Sequence, residues 1–255
     1  MAISKKNIDL LRRLQFLKAQ QREVNTIIAQ LNISSDKVAS DVLSQSYDFK
    51  KPVDRQRFAD NLIRAMAREK SSITNSFLSS MTTLGSLGVA HAVDQISKAV
   101  KSPNLEKIAQ ATSSGFQASD VLPDGTKLSS KIWSPEEIQA ILKEVDASVI
   151  AGENAFKVAE KINSGLKEGK PRWMIDRVAN TELVRVYTDS NVQTLKDSLE
   201  GNDDYEIFIK IELSPYHPHE DICDDLVGEY PVDEAPLPPH HPNCICSYTQ
   251  IIKRK

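Results

Sequence analysis

Apolar residues recur every seven positions near the start of the chain. Two interleaved series share this spacing: Leu10, Leu17, Val24 and Leu31, and Leu14, Gln21 and Ile28. This a/d pattern predicts a helix over Asn7–Leu31, in which Gln21 is a polar interruption of the kind that fixes register. The seam suits a coiled coil with another copy or a partner, and it equally suits packing on the rest of this chain.

Further helices are predicted from apolar spacing, capping residues and prolines. A loop near Asn32 separates the first helix from the second. The predicted segments are 36–44, 54–66, 71–100, 102–114, 134–150, 156–162 and 173–199. Gly85 and Gly88 lie inside one of them, where the absence of a side chain lets another backbone approach closely. A loop is expected over Gly165–Pro171.

Alternating residues predict two strands after these helices. Ile207, Ile209, Ile211 and Leu213 share one face of a strand over residues 205–213, and a second strand is expected over 247–252. The fold class is therefore mainly α with a small α+β C-terminal lobe. The predicted domains are an N-terminal helical region, 1–125, and a second domain, 126–255, which ends in a Cys/His-rich lobe, 205–255.

Composition narrows the function classes. The 255 residues carry a net charge of −3, so the whole molecule has no strong attraction for nucleic acid, although Lys5–Arg22 is basic. The N-terminus lacks the apolar run of a signal peptide, and the uncharged stretch Ser71–Val93 is too rich in Ser and Thr to span a bilayer. Neither of the common glycine-rich phosphate-binding motifs occurs.

Three cysteines near the C-terminus do not form a secreted disulfide framework, which favours a reducing compartment.

All three cysteines and four of the five histidines lie after Leu213. Cys244-x-Cys246 can offer two thiolates to one ion, and Cys223 precedes Cys244 by a separation usual between the halves of a structural zinc site. His241 is the predicted fourth ligand, and His217 is the alternative. Such a closed Cys3His site would staple a lobe too small to have its own core.

Other interpretations of this segment remain. The thiols and imidazoles could be hydrogen-bonded without a metal, whereas a redox pair of Cys244 and Cys246 lacks the activating helix N-terminus. The lobe is acidic between Lys210 and Lys253, which disfavours phosphate contact. A metal-dependent hydrolase, a nuclease or peptidase, would use His217, His219, Glu220 and Asp221 to bind an ion and activate water. The lone His91 is expected to be a packing histidine.

Three blocks of the chain carry a resemblance to a known family. The first is Leu128–Trp133, followed by a helix and Gly152; the second is Ile175–Glu182, with an Ala-x-Thr-Glu core. The third is the tail: Asp221-x-Cys223, Leu226-x-Gly228, Pro238-Pro239 and His241-Pro242-Asn243-Cys244-x-Cys246. Together they resemble the minor head proteins of tailed phages and prophages, the Mu F-like head morphogenesis family. The resemblance covers roughly residues 126–250 and is most specific in the tail.

The resemblance implies a virion component without catalytic activity, present in a few copies and made in the host cytoplasm. Such proteins associate with the portal protein and other head proteins and assist head assembly, DNA packaging or DNA ejection. This chain departs from the family at Ile245, where arginine is frequent. Many relatives also carry Cys-x-x-Cys or a histidine in the segment that ends at the position of Cys223, where this chain has only that cysteine. Cysteine and histidine both bind metals, so their exchange in this segment among relatives favours Cys223 as a ligand. His241 is favoured over His217, because it lies in the more specific block. Helix 7–31 would bind the partner, no membrane is involved, and the basic residues before Arg22 and at 253–255 could contact genomic DNA.

Overall fold

Seven helices and three strands make up the regular structure of the described residues, which are 5–101, 103–153, 155–168, 170–214, 217 and 219–255 of a computed structural model. The helices are α1 (Lys5–Leu43), α2 (Pro52–Ala99), α3 (Leu105–Ser114), α4 (Pro135–Ile150), α5 (Ala155–Lys167), α6 (Lys170–Leu199) and α7 (Ile222–Asp225). The strands are β1 (Tyr205–Glu212), β2 (Gly228–Pro231) and β3 (Ser247–Arg254), and a 3-10 turn covers Leu128–Lys131. The predicted fold class, mainly α with a small α+β C-terminal lobe, is confirmed.

The first helix is longer than the sequence predicts. The expected loop near Asn32 is wrong, because α1 continues without a break through Ser34 and Ser35. Both serines are fully buried, and Ser35 Oγ donates a hydrogen bond to the carbonyl of Leu31 at 2.8 Å. Their hydroxyls are therefore satisfied inside the helix, and packing outweighs the weak preference of Asn and Ser for turns.

The heptad seam of α1 divides into two halves. Leu10, Leu14 and Leu17 are exposed, whereas Val24, Ile28 and Leu31 are buried. Packing within the chain is thus confirmed for the second half of the seam.

The described residues form two compact units whose segments alternate along the chain. Unit 1 comprises residues within Met1–Glu23, Ser79–Ala118 and Val178–Lys255, and unit 2 comprises Val24–Leu78 and Ser119–Arg177. Each unit contains residues from both predicted domains. Within the described ranges, none of the helices combines the length and the hydropathy needed to cross a bilayer.

Unit 1 contains a three-stranded antiparallel sheet in the order β2-β1-β3. Ile209 pairs with Tyr230 on one side and with Gln250 on the other. Ile209 and Ile211 are fully buried and cluster with Val192 of α6, so the alternation predicted for β1 is confirmed. Strand β2 was not predicted, because its four residues are too few to show a period of two.

Helices α2 and α6 approach closely in unit 1, as the glycines predict. A Cβ atom on Gly88 would lie 2.5 Å from the carbonyl oxygen of Tyr187. Two hydrogen bonds join the helices at this contact. Asn191 Nδ2 donates to the Gly88 carbonyl at 2.7 Å, and Ser190 Oγ donates to the Gly85 carbonyl at 2.8 Å.

Unit 2 contains a fully buried tryptophan, Trp133. Its side chain is 1% exposed, and its Nε1 donates to the carbonyl of Leu166 at 3.4 Å. Ser134 and Glu137 exchange side-chain and backbone hydrogen bonds and so begin α4 with a capping box.

Two predicted boundaries differ from the structure. The loop expected over Gly165–Pro171 is mostly helical, because α5 ends at Lys167 and α6 begins at Lys170. The N-cap of α3 is Asn104, whose side chain accepts a hydrogen bond from the Lys107 amide. Ser102, the predicted start of that helix, lies outside the described residues.

Candidate metal centre

Three backbone elements bring the cysteines together at one end of the sheet. Cys223 lies in the first turn of α7, and Cys244 follows a turn in which its amide donates to the carbonyl of His241 at 3.1 Å. Cys246 immediately precedes β3, whose first residue, Ser247, is paired with Glu212 at the end of β1. The pairing of two sheet strands therefore sets the position of Cys246.

A capping box fixes the short helix that carries Cys223. Asp221 Oδ1 accepts from the Cys223 amide at 2.7 Å, and Asp224 Oδ2 accepts from the Asp221 amide at 2.8 Å. These backbone hydrogen bonds hold the pKa of both carboxyl groups below the ordinary value. Both side chains are consequently carboxylates at neutral pH, beside the thiols.

The three thiols form a buried cluster. Cys223, Cys244 and Cys246 offer sulfur atoms that all lie within 4.8 Å of one another, and the Cys223 and Cys244 sulfurs are 3.7 Å apart. A tetrahedral ion with metal–sulfur bonds of about 2.3 Å would place two ligand sulfurs roughly 3.8 Å apart. All three are free cysteines, so the donor set and its spacing fit a metal ion.

The electrostatics of the cluster also suit a cation. Burial raises the pKa of Cys223, and the hydrogen bonds with the neighbouring thiols raise it further. Burial likewise raises the pKa of Cys246. A bound cation would supply the positive charge that such buried thiols need in order to become thiolates.

His217 extends the thiol cluster on one side. Its Nδ1 lies 3.9 Å from Cys246 Sγ, and its Nε2 lies 3.1 Å from Asp224 Oδ2 and 3.6 Å from Asp221 Oδ1. The side chain is 9% exposed. One ring nitrogen thus faces a thiol while the other faces carboxylates, which is the usual environment of a metal-bound histidine.

His241, the predicted fourth ligand, borders the cluster on another side. Its Nδ1 lies 2.9 Å from the carbonyl oxygen of Pro242, and its Nε2 lies 3.2 Å from Asp221 Oδ2. It forms a group with Asp221 and Cys223 whose ligand atoms are also within 4.8 Å of one another. Its Nε2 is buried and makes no hydrogen bond, so a backbone carbonyl holds one ring nitrogen while the other can bind an ion.

The residues of the hydrolase alternative are only partly assembled. His217, Asp221 and Asp224 lie together, but His219 and Glu220 are exposed. Asp224, the carboxylate nearest to His217, was missed as a site residue. Its signal in the sequence is the Asp-x-x-Asp spacing of a capping box, here from Asp221 to Asp224.

The tail contacts another part of unit 1. The Asn243 amide donates to Thr181 Oγ1 at 3.1 Å, which joins the turn before Cys244 to the Ala-x-Thr-Glu segment of α6. The tail block and the Ile175–Glu182 block of the sequence are therefore in contact in the structure. Comparisons of the chain with models of protein families, with curated proteins and with solved structures find no match.

Proposed function

We propose that this chain is a structural minor head protein of a tailed phage. In this role it associates with the portal inside the head and assists head assembly, DNA packaging or DNA ejection, without enzymatic activity. The observation that carries the proposal is the tail pattern, from Asp221-x-Cys223 to His241-Pro-Asn-Cys244-x-Cys246. The hydrogen bond from Asn243 to Thr181 adds support, because it links the tail to the second block of the same pattern.

We infer that the metal of this lobe is zinc. Three thiolates and one imidazole are soft and borderline ligands that suit Zn²⁺, and four protein ligands leave no open position for a substrate or an activated water. Cys223, Cys244 and Cys246 supply the sulfurs. His217 is our choice for the fourth ligand, because its Nδ1 is 3.9 Å from Cys246 Sγ and Asp224 lies on the other side of its ring. His241, whose buried Nε2 makes no hydrogen bond and lies near Cys223, is the alternative.

The zinc would fasten a segment that has little other support. Between β1 and β3 the described residues contain only one turn of helix, α7, and the short strand β2. An ion held by Cys223, Cys246 and His217 would tie α7 to the start of β3 and to the chain just after β1. This is the role expected of a structural metal in a lobe whose apolar core is small.

The same geometry supports a structural site rather than a hydrolase. Asp221 Oδ1 and Asp224 Oδ2 each accept a backbone amide in the capping box, so one oxygen of each carboxylate holds α7. A hydrolytic site would need an open coordination position and a free carboxylate near it.

Purified phage particles provide the test of the proposed function. Mass spectrometry of particles that encode this chain is expected to find it in the head, in fewer copies than the main capsid protein. Co-expression with the portal protein of the same phage is expected to yield a complex that survives size-exclusion chromatography. Absence of the chain from mature particles, together with no portal complex, would refute the proposal.

A further inference from the structure

Four leucines form an exposed stripe on α1. Leu10 is 55% exposed, Leu11 50%, Leu14 44% and Leu17 45%. Residues 10, 14 and 17 are spaced by four and three positions, so they lie on one face of the helix, with Leu11 beside them. Soluble proteins rarely leave a contiguous row of large apolar side chains without a binding partner.

The opposite face of this part of α1 is fixed within unit 1. Arg12 forms an ion pair with Asp94, with 2.6 Å between Nη2 and Oδ2, and Gln15 Oε1 lies 3.1 Å from Nε2 of His91. The rings of Phe16 and Tyr187 pack with their centroids 4.2 Å apart. These contacts determine the rotation of the helix about its axis. The leucine stripe is consequently presented as a preformed surface, which lowers the entropic cost of binding.

The stripe is the first half of a heptad seam. The second half, Val24, Ile28 and Leu31, is buried by the rest of the chain. The first half is also apolar and has the same spacing, yet it stays exposed among the described residues. A seam of this geometry is complemented by a second helix that inserts its own apolar side chains.

The charges beside the stripe identify the chemistry of that helix. No Asp or Glu occurs between Asp9 and Glu23, and the charged residues at positions that flank the seam are Arg13 and Lys18. Lys18 is exposed, and Arg13 lies within electrostatic reach of Glu212. A second copy of the chain would place Arg13 against Lys18 in parallel pairing, and each against its own counterpart in antiparallel pairing. Both arrangements bring like charges together, whereas acidic side chains would be complementary.

We propose that the leucine stripe of α1 binds an amphipathic helix of a partner protein, in which acidic residues flank the apolar seam. This inference rests on the proposed function only for the identity of the partner, a head protein. The chemistry of the surface stands independently of it.

The test uses the full-length protein and two synthetic helical peptides. Both peptides carry a leucine seam, with glutamate at the flanking positions in one and lysine in the other. Titration by fluorescence anisotropy is expected to show binding of the glutamate peptide that weakens as salt is added, and much weaker binding of the lysine peptide. Substituting Leu14→Ser together with Leu17→Ser should reduce the affinity at least about tenfold, and Lys18→Glu should also reduce it.

Leu105→Ser is the matched control, since Leu105 is an exposed helical leucine, 71%, outside the stripe. It should leave the affinity unchanged, and circular dichroism should show that every variant keeps its helices. Equal binding of both peptides, no binding, or insensitivity to the stripe variants would overturn the proposal. So would a dimer of the chain alone that Leu14→Ser dissociates, or displacement of the peptide by duplex DNA. Peptide binding by a chain that is absent from mature particles and forms no portal complex would refute the proposed function alone. A chain that is present in particles and binds the portal, but shows no stripe-dependent peptide binding, would refute this inference alone.

Discussion

At the scale of single residues, His217 is set apart by what its two ring nitrogens face. Nδ1 faces the thiol of Cys246, and Nε2 faces the carboxylate of Asp224. Because Asp224 also caps α7, one side chain would both orient the histidine and hold the helix that carries Cys223. Metal affinity should therefore depend on a residue that does not itself bind the metal.

Substitutions of the two candidate histidines should have unequal effects. His217→Ala should weaken zinc binding strongly, because its Nδ1 lies 3.9 Å from the Cys246 thiol and its Nε2 faces Asp224. His241→Ala should have a smaller effect. Asp224→Asn should weaken binding by roughly 10–100-fold, since it removes the charge beside the ligand. Competition with a chromophoric chelator measures all three. A larger loss in His241→Ala than in His217→Ala would reverse the assignment.

The glycine at the contact between α2 and α6 should not tolerate a methyl group. Gly88→Ala would place Cβ 2.5 Å from a backbone oxygen of α6, so the helices must separate, at a cost of about 1–3 kcal/mol. In the control Gly165→Ala, the nearest atom belongs to the flexible side chain of Ile141, and the change should stay within about 1 kcal/mol. Urea unfolding of both variants provides the measurement. Equal stability of the two would contradict the close approach of the helices.

The sequence points to a site of cysteines and histidines, but it leaves open which histidine would complete it. Three cysteines among histidines already indicate a metal, because few other roles concentrate these side chains. The choice between His217 and His241 depends on how the chain leaves β1 and enters β3, which is a long-range property. The role of Asp224 depends on the capping box and was hidden among many acidic residues of the lobe.

At the scale of elements, buried polar side chains connect α6 to its neighbours. Asn191 donates to the Gly88 carbonyl of α2 and accepts from the Tyr248 hydroxyl of β3 at 3.0 Å. Its Oδ1 also accepts a hydrogen bond from Gln250 Nε2. One side chain therefore satisfies groups on a helix and on a strand inside the core, and this network fixes how the sheet lies on α6.

Removing this side chain should destabilise unit 1. Asn191→Ala leaves the Gly88 carbonyl and Gln250 without their partner in a buried site, which should cost at least about 2 kcal/mol. Gln193→Ala is the control, because Gln193 is exposed and bonds only to Asp197 in the described contacts. That change should stay within about 0.5 kcal/mol. A loss no larger than the control, measured by chemical denaturation, would show that the network adds nothing.

The packing of α1 against α2 should make stability depend on pH through His91. Burial, reinforced by the positive charge of Arg12 and opposed by Asp94, lowers the pKa of His91. Its neutral ring can accept from the Tyr187 hydroxyl and donate to Gln15. The unfolded chain therefore takes up a proton at a higher pH than the folded chain does. The contribution of His91 to stability is complete above its unfolded pKa, near 6.5, and is lost as pH falls toward the lower folded pKa.

Comparison with His91→Gln isolates this effect from the other titrating groups. The native protein should lose stability more steeply than the variant as the pH falls below about 6.5. Unfolding free energies across the acidic range provide the measurement. Parallel pH profiles of the two proteins would show that His91 does not contribute.

At the scale of the whole molecule, the order of helices and strands was predictable, and their grouping was not. Hydrophobic periodicity revealed α1, α4, α6 and β1. It could not reveal that α1, α2 and α6 each supply residues to both compact units, because grouping depends on which faces meet. The heptad seam illustrates this: one sequence pattern has one half buried by the chain and one half exposed.

Stable folding of the C-terminal lobe is expected to depend on a bound metal ion. Elemental analysis of the purified full-length protein should find about one zinc ion per chain, and Cys244→Ser should lose the zinc together with the ordered structure of residues 219–246. Hydrogen exchange of the lobe amides, with and without a chelator, reports that order directly. A native protein that carries no stoichiometric metal and keeps the same lobe protection in chelator would contradict the account.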